Sequence, residues 1–298
     1  LVNSYNAPIL AGNPSIDHIY AYTKAKHSAA SRPVAWGRQL RLYLTLRRQR
    51  FDLVIHANPI PHQRTERLVR FLRPRHALGV TDPDPGRTPA YDLPVLPGEV
   101  RGRHHVEQVF SLLQPLGIRG DPGPLVLDTP PRAPPAGPPR IAVHISSRKP
   151  CNRWPSEHFA TAIQAIAAAG YRAVLLWAPG SAADAHHPGD DERAASLYRR
   201  LRETPVTPVR TVTVNELVAT MATADMVVCC DGGTLHIAAA LGKPTVALFG
   251  CTDPARWGPW GVKSRTLRGA PDAASIAPET VIDAMTDLAR RTLAQRVP

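Results

Sequence analysis

The chain has 298 residues, 43% hydrophobic and 20% charged, which is enough apolar material for one large α/β domain or two modest ones. No run of about 18 uninterrupted apolar residues occurs, so no bilayer-spanning helix is expected. Leu1-Val2-Asn3-Ser4-Tyr5 lacks the basic head and apolar stretch of a signal peptide, and none is expected. The formal charge of +12 is uneven: residues 1–139 carry 18 Lys+Arg against 10 Asp+Glu, and residues 140–298 carry 18 against 14. These cations are mostly arginines spread over helices, without an aromatic stacking series, so phosphorylated or lipid anions are the expected partners and nucleic acid is not.

In chain order, Arg38, Arg41, Arg47, Arg48 and Arg50 flank Leu40, Tyr43, Leu44 and Leu46, the pattern of a basic amphipathic helix. Such a helix is an ordinary surface element of an α/β layer or a loose attachment to an anionic membrane face. Phe51–His56 reads as a buried parallel strand, Arg64–Leu72 as a helix stopped by Pro74, and Ala77–Val80 as a short strand. Val106, Val109, Phe110, Leu113 and Leu116 repeat at helical spacing up to Gly117. Eight prolines between 121 and 139 rule out a helix or central strand there. The expected division is an N-terminal domain over 1–125, a Pro-rich linker over 126–139 and a C-terminal domain over 140–298.

The second half alternates more cleanly. Strands are expected at Arg140–Ile145, Ala173–Trp177, Met226–Cys230 and Thr245–Phe249. Helices are expected at Ser156–Ala169, Asp191–Arg202, from the capping box Thr213-Val214-Asn215-Glu216, at His236–Leu241, and after Pro278. This order implies a doubly wound parallel sheet, whose ligands bind beyond the strand carboxyl ends. Cys151, Cys229, Cys230 and Cys251 lack metal-site spacing and are expected to be buried free thiols of a reducing cytoplasm; no metal site is expected.

Three segments carry chemistry. In Asp231-Gly232-Gly233-Thr234-Leu235-His236 a strand turns directly into a helix. The glycines let backbone N–H groups approach a ligand, the helix start adds unpaired amides, and Asp231 is expected to cap the turn. His144-Ile145-Ser146-Ser147-Arg148-Lys149 offers hydroxyls and cations, with Arg153 before Trp154 as a third cation. Phe249-Gly250-Cys251-Thr252-Asp253-Pro254 ends another strand on the same edge. Three loops at one sheet edge make a phosphate-binding site; no G-x-G-x-x-G dinucleotide turn follows any strand.

In order and spacing, Ser146–Pro150, Arg153-Trp154-Pro155, Asp231–Pro244 and Ala247–Pro254 resemble the ADP-heptose:lipopolysaccharide heptosyltransferase family, glycosyltransferase family 9. The likeness covers roughly residues 140–265, with a weaker echo at Phe51–Ile55 and His105–Ile118. It implies an α/β GT-B architecture, two Rossmann-like doubly wound domains facing a cleft. It also implies inverting transfer of a heptose from ADP-heptose to an anionic lipopolysaccharide core acceptor, with no cofactor, at the cytoplasmic face of the inner membrane. On that model Ser146, Ser147, Arg148, Asp231, Gly232, Gly233, Thr234 and His236 surround the donor, with Glu216 near its ribose. Lys149 or Arg153 offsets charge on the departing ADP.

The family's lysine before Trp-Pro is replaced here by Asn152-Arg153. Its general base, an aspartate in an early Gly-Asp turn, is expected upstream of Leu1, in a first βα unit missing from the N-terminal domain; Asp17 and His56 are the substitutes considered. The competing readings are a non-catalytic nucleotide-sugar binder of the same fold and a GT-B-like sugar-nucleotide epimerase.

Overall fold

The computed structural model describes residues 1–23, 32–82, 89–100, 102, 104–129, 137–184 and 188–293. Residues 130–136 of the expected linker lie outside that set. The chain forms two compact units: Leu1–Ala7 with His18–Gly123, and Pro8–Asp17 with Pro124–Pro298.

The first unit contains the short parallel pair β1 (Val2–Asn3) and β2 (Ala21–Tyr22). Of the four-residue helix α1 (Ala7–Leu10), Ala7 belongs to this unit and the remaining residues to the second. Helix α2 (Arg32–Arg48) precedes β3 (Leu53–Ile55), α3 (Gln63–Leu72), β4 (His76–Val80), β5 (Leu93–Val95) and α4 (His105–Ser111). Strands β3, β4 and β5 form a parallel sheet in that order, with Leu78 opposite both Ile55 and Leu93. Only β4 is buried along most of its length; β3, expected to be buried, lies at the sheet edge and leaves Ile55 exposed. The expected helix through Leu116 ends at Ser111, because Pro115 cannot continue it. A 3₁₀ turn over Gln114–Leu116 takes its place.

The second unit is built on a six-stranded, all-parallel sheet. Its strands are β6 (Arg140–His144), β7 (Arg172–Trp177), β8 (Val206–Arg210), β9 (Met226–Cys230), β10 (Thr245–Phe249) and β11 (Ser264–Arg268). Their order is β11-β10-β9-β6-β7-β8. Helices α5 (Ser156–Ala168), α6 (Asp191–Arg200), α7 (Val214–Ala222), α8 (Gly233–Ala240), α9 (Pro254–Trp257) and α10 (Pro278–Leu293) connect and cover it.

Period-two alternation splits each central strand between two cores. Ile141, Val143, Val228 and Leu248 pack with Phe159, Ile163, Leu197, Met285 and Leu288 of α5, α6 and α10. Ala142, Val227, Ala247 and Phe249 pack with Met221, Leu235 and Ala238 of α7 and α8. Adjacent Cys229 and Cys230 therefore enter different cores. Both are free and buried, as expected, and burial raises the Cys230 thiol to about 11.

Strands β8 and β11 close the two edges and were not apparent from the hydrophobic pattern. Edge strand β8 tolerates Pro208. It is tied inward by Arg210, which forms an ion pair with Asp191 at 3.0 Å. Asp191 also accepts hydrogen bonds from Trp177 Nε1 and the Gly180 amide, and these partners hold its carboxyl well below the usual range.

Candidate donor-phosphate site

Strands β10, β9 and β6 are neighbours at the centre of the sheet and run parallel, so the loops after Phe249, Cys230 and His144 emerge side by side. The chain order reverses between β9 and β6, which makes this the topological switch point where ligands of open α/β sheets bind.

The β9 loop is shaped by Gly232, whose φ of 158° and ψ of −173° belong to a region almost reserved for glycine. Gly232 is the N-cap of α8 and supplies no side chain to it. The first amides of a helix have no intrahelical acceptor, so those of α8 are available to an anion. A Cβ built on Gly233 meets nothing within 4 Å, which leaves the helix start open to an approaching group.

The expected role of Asp231 is corrected. The cap position belongs to Gly232, and the Asp231 carboxylate instead accepts a hydrogen bond from Asn152 Nδ2 at 2.8 Å. That Nδ2 also donates to Thr252 Oγ1 at 2.8 Å, while Asn152 Oδ1 accepts from the Gly250 amide at 2.9 Å. One buried side chain thus ties the segment after β6 to both other loops. Gly250 is required by the closeness of this packing, since a Cβ there would lie 1.8 Å from the Cys151 carbonyl oxygen.

Asn152 was not singled out from sequence, although its place beside the replaced lysine before Trp154 was a signal. The same packing corrects the thiol expectation. Cys151 and Cys251 are joined in a disulfide, with Cα atoms 5.7 Å apart, because the Asn152 bonds bring their loops together.

The serines are placed as expected but are partly committed to structure. Ser147 is buried and donates to the Asp231 carbonyl at 3.2 Å; Ser146 Oγ accepts from the Ala178 amide at 2.9 Å. Arg148 and Lys149 are exposed beside this loop. Arg153 is half-buried and anchored through Nε to the Ser147 carbonyl at 2.8 Å. A further cation, Arg193, fixes the loop from below. It donates to the Ile145 carbonyl at 2.8 Å, to Ser156 Oγ at 3.0 Å and to the Trp154 carbonyl. Arg193 was not singled out from sequence.

His236 is half-buried, with its ring edge-on to Trp257 at 6.3 Å. Glu216 sits at the start of α7 in its capping box, Oε2 accepting from the Val212 and Thr213 amides at 2.7 and 3.4 Å. In the first unit, His56 lies after β3 with Nδ1 2.9 Å from the Tyr91 hydroxyl, and burial lowers its pKa. Asp17 is exposed.

Beneath the α8 turn, Thr234 Oγ1 lies 3.3 and 3.4 Å from the two ring nitrogens of His144. The Thr234 hydroxyl therefore shares its contacts with a buried imidazole, leaving the Thr234 amide as the residue's clearer contribution to an anion site. Burial lowers the His144 pKa to about 4, and a hydrogen bond with the Ser146 backbone opposes the shift only in part. The unfolded chain, titrating near 6.5, takes up a proton first as pH falls. Stability is therefore full above pH 6.5 and declines towards pH 4. The decline attributable to this residue is about 3 kcal/mol. Urea unfolding of the wild type and His144→Gln across this range should show a steeper decline in the wild type, the contribution of His56 being common to both; parallel curves would refute the assignment.

Comparison with known proteins identifies the family. Residues 39–280 match the model of glycosyltransferase family 9 (heptosyltransferase). The chain is 29% identical over 271 residues to lipopolysaccharide heptosyltransferase 3 of Escherichia coli, covering 85% of this chain and 74% of that protein. It is 35% identical over 119 residues to lipooligosaccharide heptosyltransferase 2 of Haemophilus influenzae, covering 40% of this chain and 33% of that one.

Among solved structures, a family 9 glycosyl transferase from Veillonella parvula superposes with a TM-score of 0.73 at 19% identity, covering 96% of this chain and 86% of that chain. An Escherichia coli heptosyltransferase solved with ADP gives 0.72 at 19% identity, covering 96% and 89%. These likenesses show the GT-B fold. The chain is a member of glycosyltransferase family 9, the heptosyltransferase family.

Proposed function

We propose that this chain transfers a heptose from ADP-heptose to the core of a lipopolysaccharide acceptor, with inversion at the anomeric carbon. The observation that carries the reading is the open α8 start at Gly232-Gly233, flanked on adjacent strands by the Ser146–Lys149 and Gly250–Asp253 loops. In this proposal the diphosphate lies against the Gly233 and Thr234 amides and the Ser146-Ser147 segment. An acceptor hydroxyl attacks the anomeric carbon and gives its proton to a carboxylate general base, the bond from that carbon to the ADP oxygen breaks, and ADP departs with the bonding pair.

Lys149 or Arg153 offsets the charge that develops on ADP, a contribution on the order of 3 kcal/mol for a well-placed donor. Those cations take the place of a metal ion, so no cofactor is needed. Glu216 keeps Oε1 for a ribose hydroxyl while Oε2 serves the cap. The acceptor is an anionic glycolipid, and the enzyme works from the cytoplasm, in peripheral contact with the membrane that carries it.

Incubating the protein with ADP-heptose and heptose-deficient lipopolysaccharide should yield a heptosylated product and ADP in equal amounts, unchanged by EDTA. Binding of ADP-heptose without turnover would favour a non-catalytic binder. A new sugar nucleotide formed without acceptor would favour an epimerase.

A further inference from the structure

Helix α2 presents a surface that the donor site does not use. Its inner side carries Leu46, buried, with Leu42 and Tyr43 half-buried. Tyr43 faces Phe71 of α3 with ring centroids 6.4 Å apart. Arg47 belongs to this inner side: its guanidinium lies 5.0 Å over the Phe71 ring and donates to the Phe71 carbonyl.

On the outer side Trp36, Leu40 and Leu44 recur every four residues, forming one stripe with 75%, 55% and 39% of their surface exposed. Exposed Arg41 and Arg48 lie alongside, Arg38 is on the opposite side of the helix, and the helix contains no acidic residue. Among the described residues, no helix is long and apolar enough to cross a membrane.

We infer that the Trp36–Leu40–Leu44 stripe and the adjoining Arg41 and Arg48 form a docking surface for an anionic phospholipid bilayer, with α2 lying flat in the headgroup layer. The inference rests on the proposed membrane-borne acceptor and supplies the contact that reading lacks. Two aliphatic side chains and an indole suit the acyl–headgroup boundary, and guanidinium groups suit lipid phosphates. A second copy docked through the same patch would bring arginines near arginines across the two-fold axis. Nucleic acid would find one stacking ring between leucines rather than an aromatic series.

The test is co-sedimentation of the full chain with vesicles of phosphatidylcholine alone or mixed with phosphatidylglycerol, without donor or acceptor. Binding is expected only to the mixed vesicles and should weaken with added salt. The double variant Arg41→Gln, Arg48→Gln should weaken partitioning about 25-fold, at about fivefold per arginine. The variant Trp36→Ser, Leu40→Ser, Leu44→Ser should also release the protein.

Both variants should retain ADP affinity by calorimetry, so loss of docking is separable from loss of the donor site or fold. Equal binding to neutral vesicles, or undiminished binding by either variant, would overturn the inference. So would a stripe-dependent dimer by light scattering, or arginine-dependent oligonucleotide binding, in the absence of vesicle binding.

Discussion

Gly233→Val is expected to weaken ADP binding at least a hundredfold while leaving the fold in place. The position is the first residue of α8, its φ lies outside the left-handed range, and a Cβ there meets nothing within 4 Å. A branched side chain should therefore be accommodated, with stability changing by less than about 1 kcal/mol. What it would occupy is the space in front of the uncapped amides. Hydrogen bonds from two amides to a charged phosphate are worth about 1.5–3 kcal/mol each, so excluding the phosphate should cost about 3 kcal/mol of affinity or more. Gly233→Ala should fall between the two. Calorimetric titration with ADP, paired with urea unfolding, separates the effects; full affinity in the valine variant would remove α8 from the site.

Asn152→Ala should damage both stability and binding. The Gly250 amide, the Asp231 carboxylate and the Thr252 hydroxyl would each lose the partner they have within hydrogen-bonding distance. The Gly250 amide is buried, and a buried polar group left unsatisfied costs about 1–3 kcal/mol, so a loss of about 1–3 kcal/mol is expected in urea unfolding. ADP affinity should fall as well, because the three loops would no longer be fixed to one another.

Asn152→Asp is the informative control. It keeps an acceptor for the Gly250 amide but sets a second carboxylate against Asp231. Repulsion and burial would raise the pKa of the new carboxyl, so this variant should gain stability relative to wild type as pH falls. A variant as stable and as tight-binding as wild type would show that Asn152 is not the tie between the loops.

Most of the second unit was legible because its central strands are buried on both faces. Met226–Cys230 is an unbroken apolar run, Thr245–Phe249 is apolar after its first residue, and both strands occur with those bounds. Besides the two-residue pair β1 and β2, the strands that escaped notice lie at sheet edges: β5 contains Pro94, β8 contains Pro208, and β11 reads Ser-Arg-Thr-Leu-Arg. An edge strand has one side free of partners, so it need not be apolar and its pattern resembles a loop.

A similar distinction applies to the site. The glycine turn, the serine pair and the cations were visible because their chemistry is local in sequence. Asn152 was not, since its partners lie 79, 98 and 100 residues away. The Cys151–Cys251 disulfide, 100 residues apart, was hidden for the same reason. Asp231 was misread because a local cap was assumed where a long-range acceptor is needed.

The central claim is that the diphosphate of a nucleotide sugar rests on the start of α8 between the β6 and β10 loops. It is tested most directly by following backbone amide resonances of the labelled protein as ADP is added. The amides of Gly233 and Thr234, with those of Ser146 and Ser147, should show the largest shifts at saturation. Saturable ADP binding that leaves these four resonances unmoved would contradict the claim.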